Sequence, residues 1–319
     1  MTLPAPDTDN FTPLGVNLFG DPIEPDNHGE IKGRFIIPPF SVLNARDGDW
    51  QERKRGWLSL GIQSEVGRDD DLLGNRGGAA SCERYDGRER NTAGSSIFDP
   101  TLCELAYTWF CPPGGQVVDP FAGGSVRGIV AHKLGYRYWG CELRSEQVEA
   151  NAEQGKEITP TDPPVWVCGD ALDAVPNAPA ADFVFSCPPY GDLECYSDDP
   201  RDLSAMEYQT FLATYKRIIL RTCAKLKQDR FAFFVVADFR DRRTGNYRDF
   251  VSATIAAFVE QGLHLYNEAI LVTAVGSLPI RITKQFEAGR KLGKTHQNVL
   301  VFVKGDGKRA AKAIQENAT

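Results

Sequence analysis

The residues best suited to bind a nucleoside follow three successive predicted strands. The first strand leads into Asp119-Pro120-Phe121-Ala122-Gly123-Gly124-Ser125, where glycines allow the backbone to approach a ligand closely. The second strand ends in Glu142, an acid that can hold ribose hydroxyls, and the third ends in Gly169-Asp170, a second acid suited to an adenine amino group or the ribose. The dinucleotide pattern Gly-x-Gly-x-x-Gly is absent, because Ser125 follows the glycine pair, and this argues against a dehydrogenase.

A second segment whose residue types could take part in catalysis follows the fourth predicted strand. It reads Ser186-Cys187-Pro188-Pro189-Tyr190. Proline fixes the turn and retains its carbonyl as a hydrogen-bond acceptor. Tyr190 adds a flat aromatic face. An ordinary turn is the simplest alternative, but the neighbouring strand ends make a binding corner the better interpretation.

These segments resemble the motifs of a known enzyme family. Val118–Gly124 resembles the Asp-Pro-Phe-x-Gly-(Ser/Gly)-Gly motif of amino-directed DNA methyltransferases, and Phe98-Asp99-Pro100 resembles the cofactor motif just upstream of it. Ser186–Tyr190 resembles the (Asp/Asn/Ser)-Pro-Pro-(Tyr/Phe) motif and stands where that motif belongs. The resemblance covers roughly residues 98–303. It implies a class I fold that uses S-adenosylmethionine to methylate N6 of adenine or N4 of cytosine in DNA.

The resemblance also implies a set of site residues. Asp119, Phe121 and Gly123 would line the methionine end of the cofactor, Glu142 would take the ribose, and Asp170 would take the adenine. The full implied cofactor set is Phe98, Asp99, Asp119, Pro120, Phe121, Gly123, Gly124, Glu142 and Asp170. The implied catalytic set is Ser186, Cys187, Pro188, Pro189 and Tyr190.

The family chemistry explains why these residue types matter. The lone pair of an exocyclic amine is delocalised into the base ring, so two acceptors must direct the N–H groups and localise the lone pair toward the methyl donor. In the family, one acceptor is the first side chain of the motif and the other is the first proline carbonyl, here that of Pro188. Tyr190 would stack on a base extruded from the helix. No metal is required by this chemistry.

The first motif position departs from the family, because Cys187 stands where Asp, Asn or Ser is usual. Sulfur is a weak acceptor. Three roles remain open: Ser186 supplies the oxygen, Cys187 accepts weakly, or Cys187 is a nucleophile toward a pyrimidine ring, as in carbon-5 methylation. Carbon-5 enzymes carry proline before the cysteine rather than after it, which disfavours the third role.

Alternating helices and strands must position these segments. From Asp99-Pro100, a typical helix start, the pattern predicts a doubly wound, mostly parallel, seven-stranded Rossmann-like sheet covered by helices. The division predicted along the chain is a disordered tail at 1–30, an irregular extension with a possible target-recognition role at 31–97, the methyltransferase domain at 98–304, and a flexible tail at 305–319.

Charge gives mixed support for a DNA partner. The net charge is −7, whereas a protein with a wide DNA-binding surface is usually basic. The connection 275–297 nevertheless concentrates cations and has one glutamate, so we expect it to contact phosphates, with a solvated loop as the alternative. Residues 53–55, between Trp50 and Trp57, form a second candidate contact. The predicted phosphate contacts are Arg281, Lys284, Arg290, Lys291 and Lys294.

The composition argues against membrane, secreted and metal-binding proteins. No run of about 18 apolar residues is present, and the N-terminus lacks the features of a secretory signal. The eight cysteines contain no Cys-x-x-Cys pair, and the four histidines are scattered. We therefore expect a cytoplasmic protein with reduced cysteines, no metal site and no membrane partner.

Two other classes of function remain open. Related double-proline sites also methylate RNA or a protein glutamine, since the amine chemistry is the same. The chain could instead be a non-catalytic DNA-binding module, and Cys187 is the feature that favours this alternative.

Overall fold

A computed structural model describes residues 35–63, 98–191, 197, 199–241, 243–276 and 278–315, except for the side chain of Arg281. The chain divides into two compact units, residues 1–40 and 41–319. In the first unit only residues 35–40 are described, and Phe40 is exposed there. The predicted tail at 1–30 and residues 31–34 and 64–97 of the predicted extension lie outside the described residues.

The second unit is built on a single sheet, and within the described residues the sheet has eight strands. Their order is β1-β7-β8-β6-β5-β2-β3-β4. All neighbours are parallel except β8, which is antiparallel to both β6 and β7. The strands are β1 (Val42–Asn44), β2 (Gln116–Asp119), β3 (Arg137–Glu142), β4 (Val165–Cys168), β5 (Ala181–Ser186), β6 (Leu226–Val236), β7 (His264–Val272) and β8 (His296–Lys304).

Helices connect these strands. Asp99 begins one of them as predicted, because its side chain accepts the Thr101 N–H and Pro100 occupies the first turn. The helices are α1 (Gly48–Leu58), α2 (Pro100–Phe110), α3 (Val126–Lys133), α4 (Ser145–Ile158), α5 (Ala171–Ala174), α6 (Tyr208–Lys225), α7 (Phe250–Val259), α8 (Leu278–Gly289) and α9 (Gly307–Gln315).

Both faces of the sheet are covered by packed side chains. Successive residues of a strand point to opposite sides, so neighbouring residues of β5 pack on different faces. On one side Phe183 and Phe185 of β5 pack edge-on against Tyr107 of α2. On the other side Val184 belongs to a buried cluster with aromatic residues of α6 and α7. The predicted doubly wound, mostly parallel fold is therefore confirmed.

The strand order reverses between β2 and β5, which are neighbours in the sheet but distant in the chain. Val118 of β2 pairs with Trp139 of β3 on one side and with Val184 of β5 on the other. In open parallel sheets, ligands bind beyond the carboxyl ends of the strands at such a reversal. All the strand-end motifs of the sequence lie at this edge.

The structure differs from the expectations at three places. The extension contributes an eighth strand, β1, which pairs with β7, and the helix α1. The connection 275–297 contains α8. Residues 307–315, expected in a flexible tail, form α9, because Ala310 is buried and Arg309 pairs with Asp229 at 2.6 Å. None of the described helices is long and apolar enough to cross a membrane.

Candidate active site

The carboxylate of Asp119, at the end of β2, is fully buried and accepts four hydrogen bonds. Oδ2 accepts from Arg127 Nε at 2.6 Å and from the Tyr138 hydroxyl at 2.8 Å. Oδ1 accepts from the Ser186 hydroxyl at 2.5 Å and from the Phe121 N–H at 3.0 Å. Asp119 was expected to contact the cofactor, but it does not line the adjacent cavity; its oxygens are used to hold the start of the glycine turn.

Arg127 fixes the rest of that turn. Its guanidinium donates to the carbonyls of Phe121 and Ala122 at 2.5 and 2.9 Å, and it lies 4.6 Å from the centre of the Phe98 ring. Burial opposes its charge, yet the neighbouring Asp119 carboxylate raises the pKa of Arg127 above its ordinary value. The guanidinium therefore stays charged, and the glycine turn is held by a paired cation inside the protein.

Two acids frame the opposite side of the turn. Glu142 accepts the N–H groups of Gly123 and Arg144 at 3.0 and 3.1 Å, one on each oxygen. Burial raises the pKa of Glu142, and these two backbone hydrogen bonds oppose the rise. Asp170 accepts the Leu172 N–H at 2.8 Å as the cap of α5. A carboxylate has about four acceptor positions, so both acids retain capacity for ligand hydroxyl or amino groups.

A cavity of about 180 Å³ lies between these elements. Gly123 has φ +52°, which favours glycine, and a Cβ on it would meet no protein atom within 4 Å. The turn therefore presents bare backbone to open space. The predicted site residues that line the cavity are Phe98, Pro120, Phe121, Gly123, Gly124, Glu142, Asp170, Cys187, Pro188, Pro189 and Tyr190.

The double-proline corner forms the far wall of this cavity. The Cys187 sulfur lies 3.5 Å from the Tyr190 hydroxyl, which accepts from Gln297 Nε2 at 2.8 Å. Gly191 has φ +55°, and a Cβ there would lie 2.8 Å from the Phe239 ring, so the chain needs glycine immediately after the corner.

Ser186 does not reach the cavity. Its hydroxyl is fully buried and donates to Asp119, and it lines neither of the two cavities at this edge. The hypothesis that Ser186 supplies the missing acceptor is therefore corrected: the side chain at the corner that faces the cavity is Cys187.

A larger cavity, of about 680 Å³, adjoins the first. The two share Phe98, Cys187 and Tyr190 as wall residues. The larger one is lined by the connections after β6 and β7, by the beginning of β8, by α1 and by the start of α2. Phe121 and Tyr190 both line the smaller cavity, so the pocket beside Phe121 opens toward Tyr190.

Asp99 also differs from its expected position. It lines the larger cavity rather than the first, caps α2, and pairs with Lys54 Nζ at 3.1 Å. Its acceptors serve the helix and a lysine, so it belongs to the scaffold around the site rather than to the cofactor set.

The predicted phosphate contacts separate into two groups. Lys291 and Lys294 line the larger cavity. Lys284 and Arg290 are exposed and line neither cavity, and the Arg290 guanidinium lies over the Phe286 ring at 5.2 Å. Arg281 lies on α8, and its side chain is outside the described residues.

The second basic candidate, residues 53–55, has a structural role at Arg53. Arg53 donates two hydrogen bonds of 2.6 Å to the buried Glu104 of α2, and Trp57 donates a third of 2.7 Å. These contacts hold α1 against α2. Lys54 pairs with Asp99 at 3.1 Å, so two of the three cations bind the scaffold, whereas Arg55 is exposed.

Sequence reasoning missed several residues of the first cavity. Arg127 carried a usable signal, since a lone arginine within the apolar helix Val126–Ala131 needs a buried partner. Arg201, which pairs with Asp199 at 2.7 Å, had no signal, because the loop that carries it has no motif. The missed residues that line the cavity are Arg127, Arg144, Gln147, Arg201 and Asp202. Within the described part of the chain, no three His, Cys, Asp or Glu side chains are grouped to hold a metal ion.

No protein-family model matches the chain, and no curated protein matches it. Solved structures do align. The candidate RNA methyltransferase PH1948 from Pyrococcus horikoshii is 16% identical over 80% of this chain and 100% of that one, with a TM-score of 0.45. TrmN from Thermus thermophilus is 14% identical over 65% of this chain and 49% of that one, with a TM-score of 0.43.

Precorrin-6y C5,15-methyltransferase from Geobacter metallireducens GS-15 is 12% identical over 76% of this chain and 99% of that one, also with a TM-score of 0.43. The chain thus spans about half the length of TrmN. Similarity at this level carries no argument about substrate or activity, so the function has to be argued from the geometry of the site.

Proposed function

We propose that this chain is an S-adenosylmethionine-dependent methyltransferase that methylates the exocyclic amine of a base extruded from DNA. The observation that carries the proposal is the junction of two cavities at Phe98, Cys187 and Tyr190. One cavity has the donors and acids of a nucleoside site, and the other has room for a base. Methyl transfer requires such a junction, because donor and acceptor must approach each other in line within one shared space.

The first cavity fits the cofactor by its own chemistry. Gly123 leaves space for a ligand against the turn, while Glu142 and Asp170 have acceptor positions left for ribose hydroxyls and an adenine amino group. Phe121 lines the wall next to the glycines. When bound, S-adenosylmethionine supplies a methyl group already activated by its sulfonium.

The double-proline corner would prepare the amine. The Pro188 carbonyl accepts one N–H of the amine, and the Cys187 sulfur accepts the other weakly, which directs the nitrogen lone pair toward the donor. The Tyr190 ring stacks on the base and is held in place by the hydrogen bond from Gln297. After methyl transfer the amine nitrogen loses a proton to solvent or to a nearby acceptor.

The test is to incubate the protein with labelled S-adenosylmethionine and DNA, digest the DNA, and identify the modified nucleoside by mass. N6-methyladenine or N4-methylcytosine is expected. RNA and protein compete in parallel reactions, and preferential labelling of either assigns the substrate to that class instead. Cofactor binding without turnover on any of the three indicates a non-catalytic module.

Two variants test the assignment of the corner. Tyr190→Ala should lower the methylation rate by about tenfold to a hundredfold, since stacking on a base contributes about 1–3 kcal/mol. Pro188→Ala should also lower the rate, because the carbonyl loses its fixed direction. Tyr190→Phe is the matched control, as it retains the ring and removes only the hydroxyl with its contacts to Gln297 and Cys187. Full activity in both Tyr190→Ala and Pro188→Ala would place the chemistry elsewhere.

A second candidate is methylation of carbon 5 of cytosine, and one observation favours it: the Cys187 thiol lines both cavities, whereas the Ser186 hydroxyl is bound to Asp119. Cys187→Ser separates the two reactions. An equal or higher rate supports amine methylation, because oxygen is the better acceptor. Complete loss together with 5-methylcytosine as the wild-type product supports a covalent step through the thiol.

A further inference from the structure

Three cations from two distant segments converge on one wall of the larger cavity. Arg240 lies in the connection after β6, and its guanidinium is 4.0 Å from the centre of the Tyr247 ring. Lys294 Nζ lies 5.7 Å from the same ring. Lys291 lies beside Gly245, where a Cβ would come within 2.6 Å of its Nζ. Arg240, Lys291, Lys294 and Tyr247, here called the Arg240 cluster, all line this cavity.

The connection that carries Arg240 is internally fixed. Arg240 and Tyr247 form an antiparallel bridge, and Arg240 donates to the Gly245 carbonyl at 3.0 Å. Asp241 accepts the Thr244 N–H at 2.7 Å and pairs with Arg248 at 2.7 Å. The acid beside Arg240 in sequence is therefore engaged within the loop, and the loop holds Arg240 against Tyr247 without neutralising it.

The described carboxylates that line the larger cavity, Asp99 and Asp238, form no ion pair with the cluster. Among the residues that the structure describes, no carboxylate lies within ion-pair distance of Arg240, Lys291 or Lys294. Asp238 lines the same cavity but accepts the Val251 N–H at 3.0 Å. Burial lowers the pKa of Lys294, with Asp238 opposing the change and Arg240 adding to it. Like charges held together repel one another, and a bound anion relieves that repulsion.

We propose that the Arg240 cluster binds the phosphodiester backbone of the DNA strand whose base enters at Tyr190. The choice of DNA as the occupant rests on the proposed function, while the affinity for a polyanion rests on the cluster itself. Arginine and lysine are the residues that most often contact phosphates, and such contacts set the register of the strand on the protein. Tyr190 and the cluster line one continuous cavity, so a strand held at the cluster presents its base to the double-proline corner.

The experiment measures the affinity for a labelled DNA duplex by fluorescence anisotropy between 50 and 200 mM salt, in parallel with methyl transfer. Arg240→Gln and Lys294→Gln should each weaken binding several-fold at low salt. Each should also reduce the slope of log affinity against log salt by about 0.9, the contribution of one neutralised phosphate. Lys133→Gln removes an exposed cation on α3, away from both cavities, and should leave the slope unchanged. Thermal melts check that the variants are folded.

The outcomes separate the two proposals. If the wild type binds and methylates DNA but the cluster variants retain the slope of Lys133→Gln, the cluster proposal is overturned and the proposed function stands. If the wild type transfers no methyl group yet the variants reduce the slope, the cluster is supported and the proposed function fails. If the wild type does not bind DNA at any salt concentration in this range, both are overturned.

Discussion

The two cavities that meet at Tyr190 are built in different ways. The smaller is formed by consecutive strand ends, and backbone N–H groups together with the buried Arg127–Asp119 pair fix its shape. The larger is lined by side chains from α1 and from the connections after β6 and β7, and its cations are partly exposed. The comparison shows that the proposed cofactor half depends on local backbone geometry, whereas the proposed target half depends on tertiary placement of charge.

The largest loss of stability is expected when the cation that anchors the smaller cavity is removed, which tests whether that cavity depends on its buried ion pair. Arg127→Met leaves the Asp119 carboxylate buried without its charge partner. The free energy of unfolding should fall by about 3–5 kcal/mol, measured by urea denaturation, and cofactor affinity should fall with it.

A matched control is Lys216→Met, which breaks the pair between Lys216 and Glu260 at 3.0 Å. Both partners are substantially exposed, so the loss should stay below about 1 kcal/mol. Equal losses for the two variants would show that the Asp119 network does not anchor the turn.

A smaller effect, on cofactor affinity, is expected at Glu142, and its pH dependence tests the role of the smaller cavity. The proposed ribose contact needs the ionised carboxylate, and burial raises the pKa of Glu142. Cofactor affinity should therefore weaken as pH falls through that raised pKa. Glu142→Gln should bind about tenfold more weakly at neutral pH, since a charge-assisted hydrogen bond is lost, and should lack this pH dependence. Titration calorimetry from pH 4 to 8 measures both.

The pH dependence of folding stability at Glu142 is opposite to that of cofactor affinity. Because the folded-state pKa of Glu142 is raised, the folded protein binds this proton more tightly than the unfolded chain does. The contribution of Glu142 to stability is thus fully present below its unfolded pKa and is lost as pH rises through the folded pKa. If Glu142→Gln gained stability relative to the wild type as pH fell, the raised pKa assigned to Glu142 would be contradicted.

The smallest effect is expected at Arg53, outside both cavities. Arg53→Gln removes two hydrogen bonds to Glu104, but its side chain is 43% exposed, so the loss of stability should be about 1 kcal/mol. The salt dependence of DNA binding should not change, in contrast to Arg240→Gln. A smaller slope of log affinity against log salt would indicate that Arg53 contacts nucleic acid, as the sequence suggests.

The sequence predicts the smaller cavity well because its residues follow strands in a fixed order. Glycines after β2 and acids after β3 and β4 must meet at one edge once the strands are parallel. Pro188 and Tyr190 are positioned by the same argument, because β5 lies beside β2.

What the sequence could not show are contacts between distant segments. The bonds of Asp119 to Ser186 and to Tyr138 join three strands, and they turn two expected ligand-binding residues into internal supports. The pairing of Arg240 with Tyr247 beside Lys294 joins two connections, and neither has a motif. Helix α9 was not predicted because it is held by contacts with β6 and α2, which are far away in the chain.

The direction of β8 has a consequence for how this protein can vary. Since β8 is antiparallel to β7, the chain leaves the sheet after Val272 and returns at His296 on the same edge, and Thr273, Ala274, Leu278 and Lys291–Lys294 of this connection line the larger cavity. Each doubling in length of such an excursion costs only about 0.6 kcal/mol in closure entropy. Under the proposed function, grafts of new length and composition in this connection would change the target while the glycine turn stays untouched.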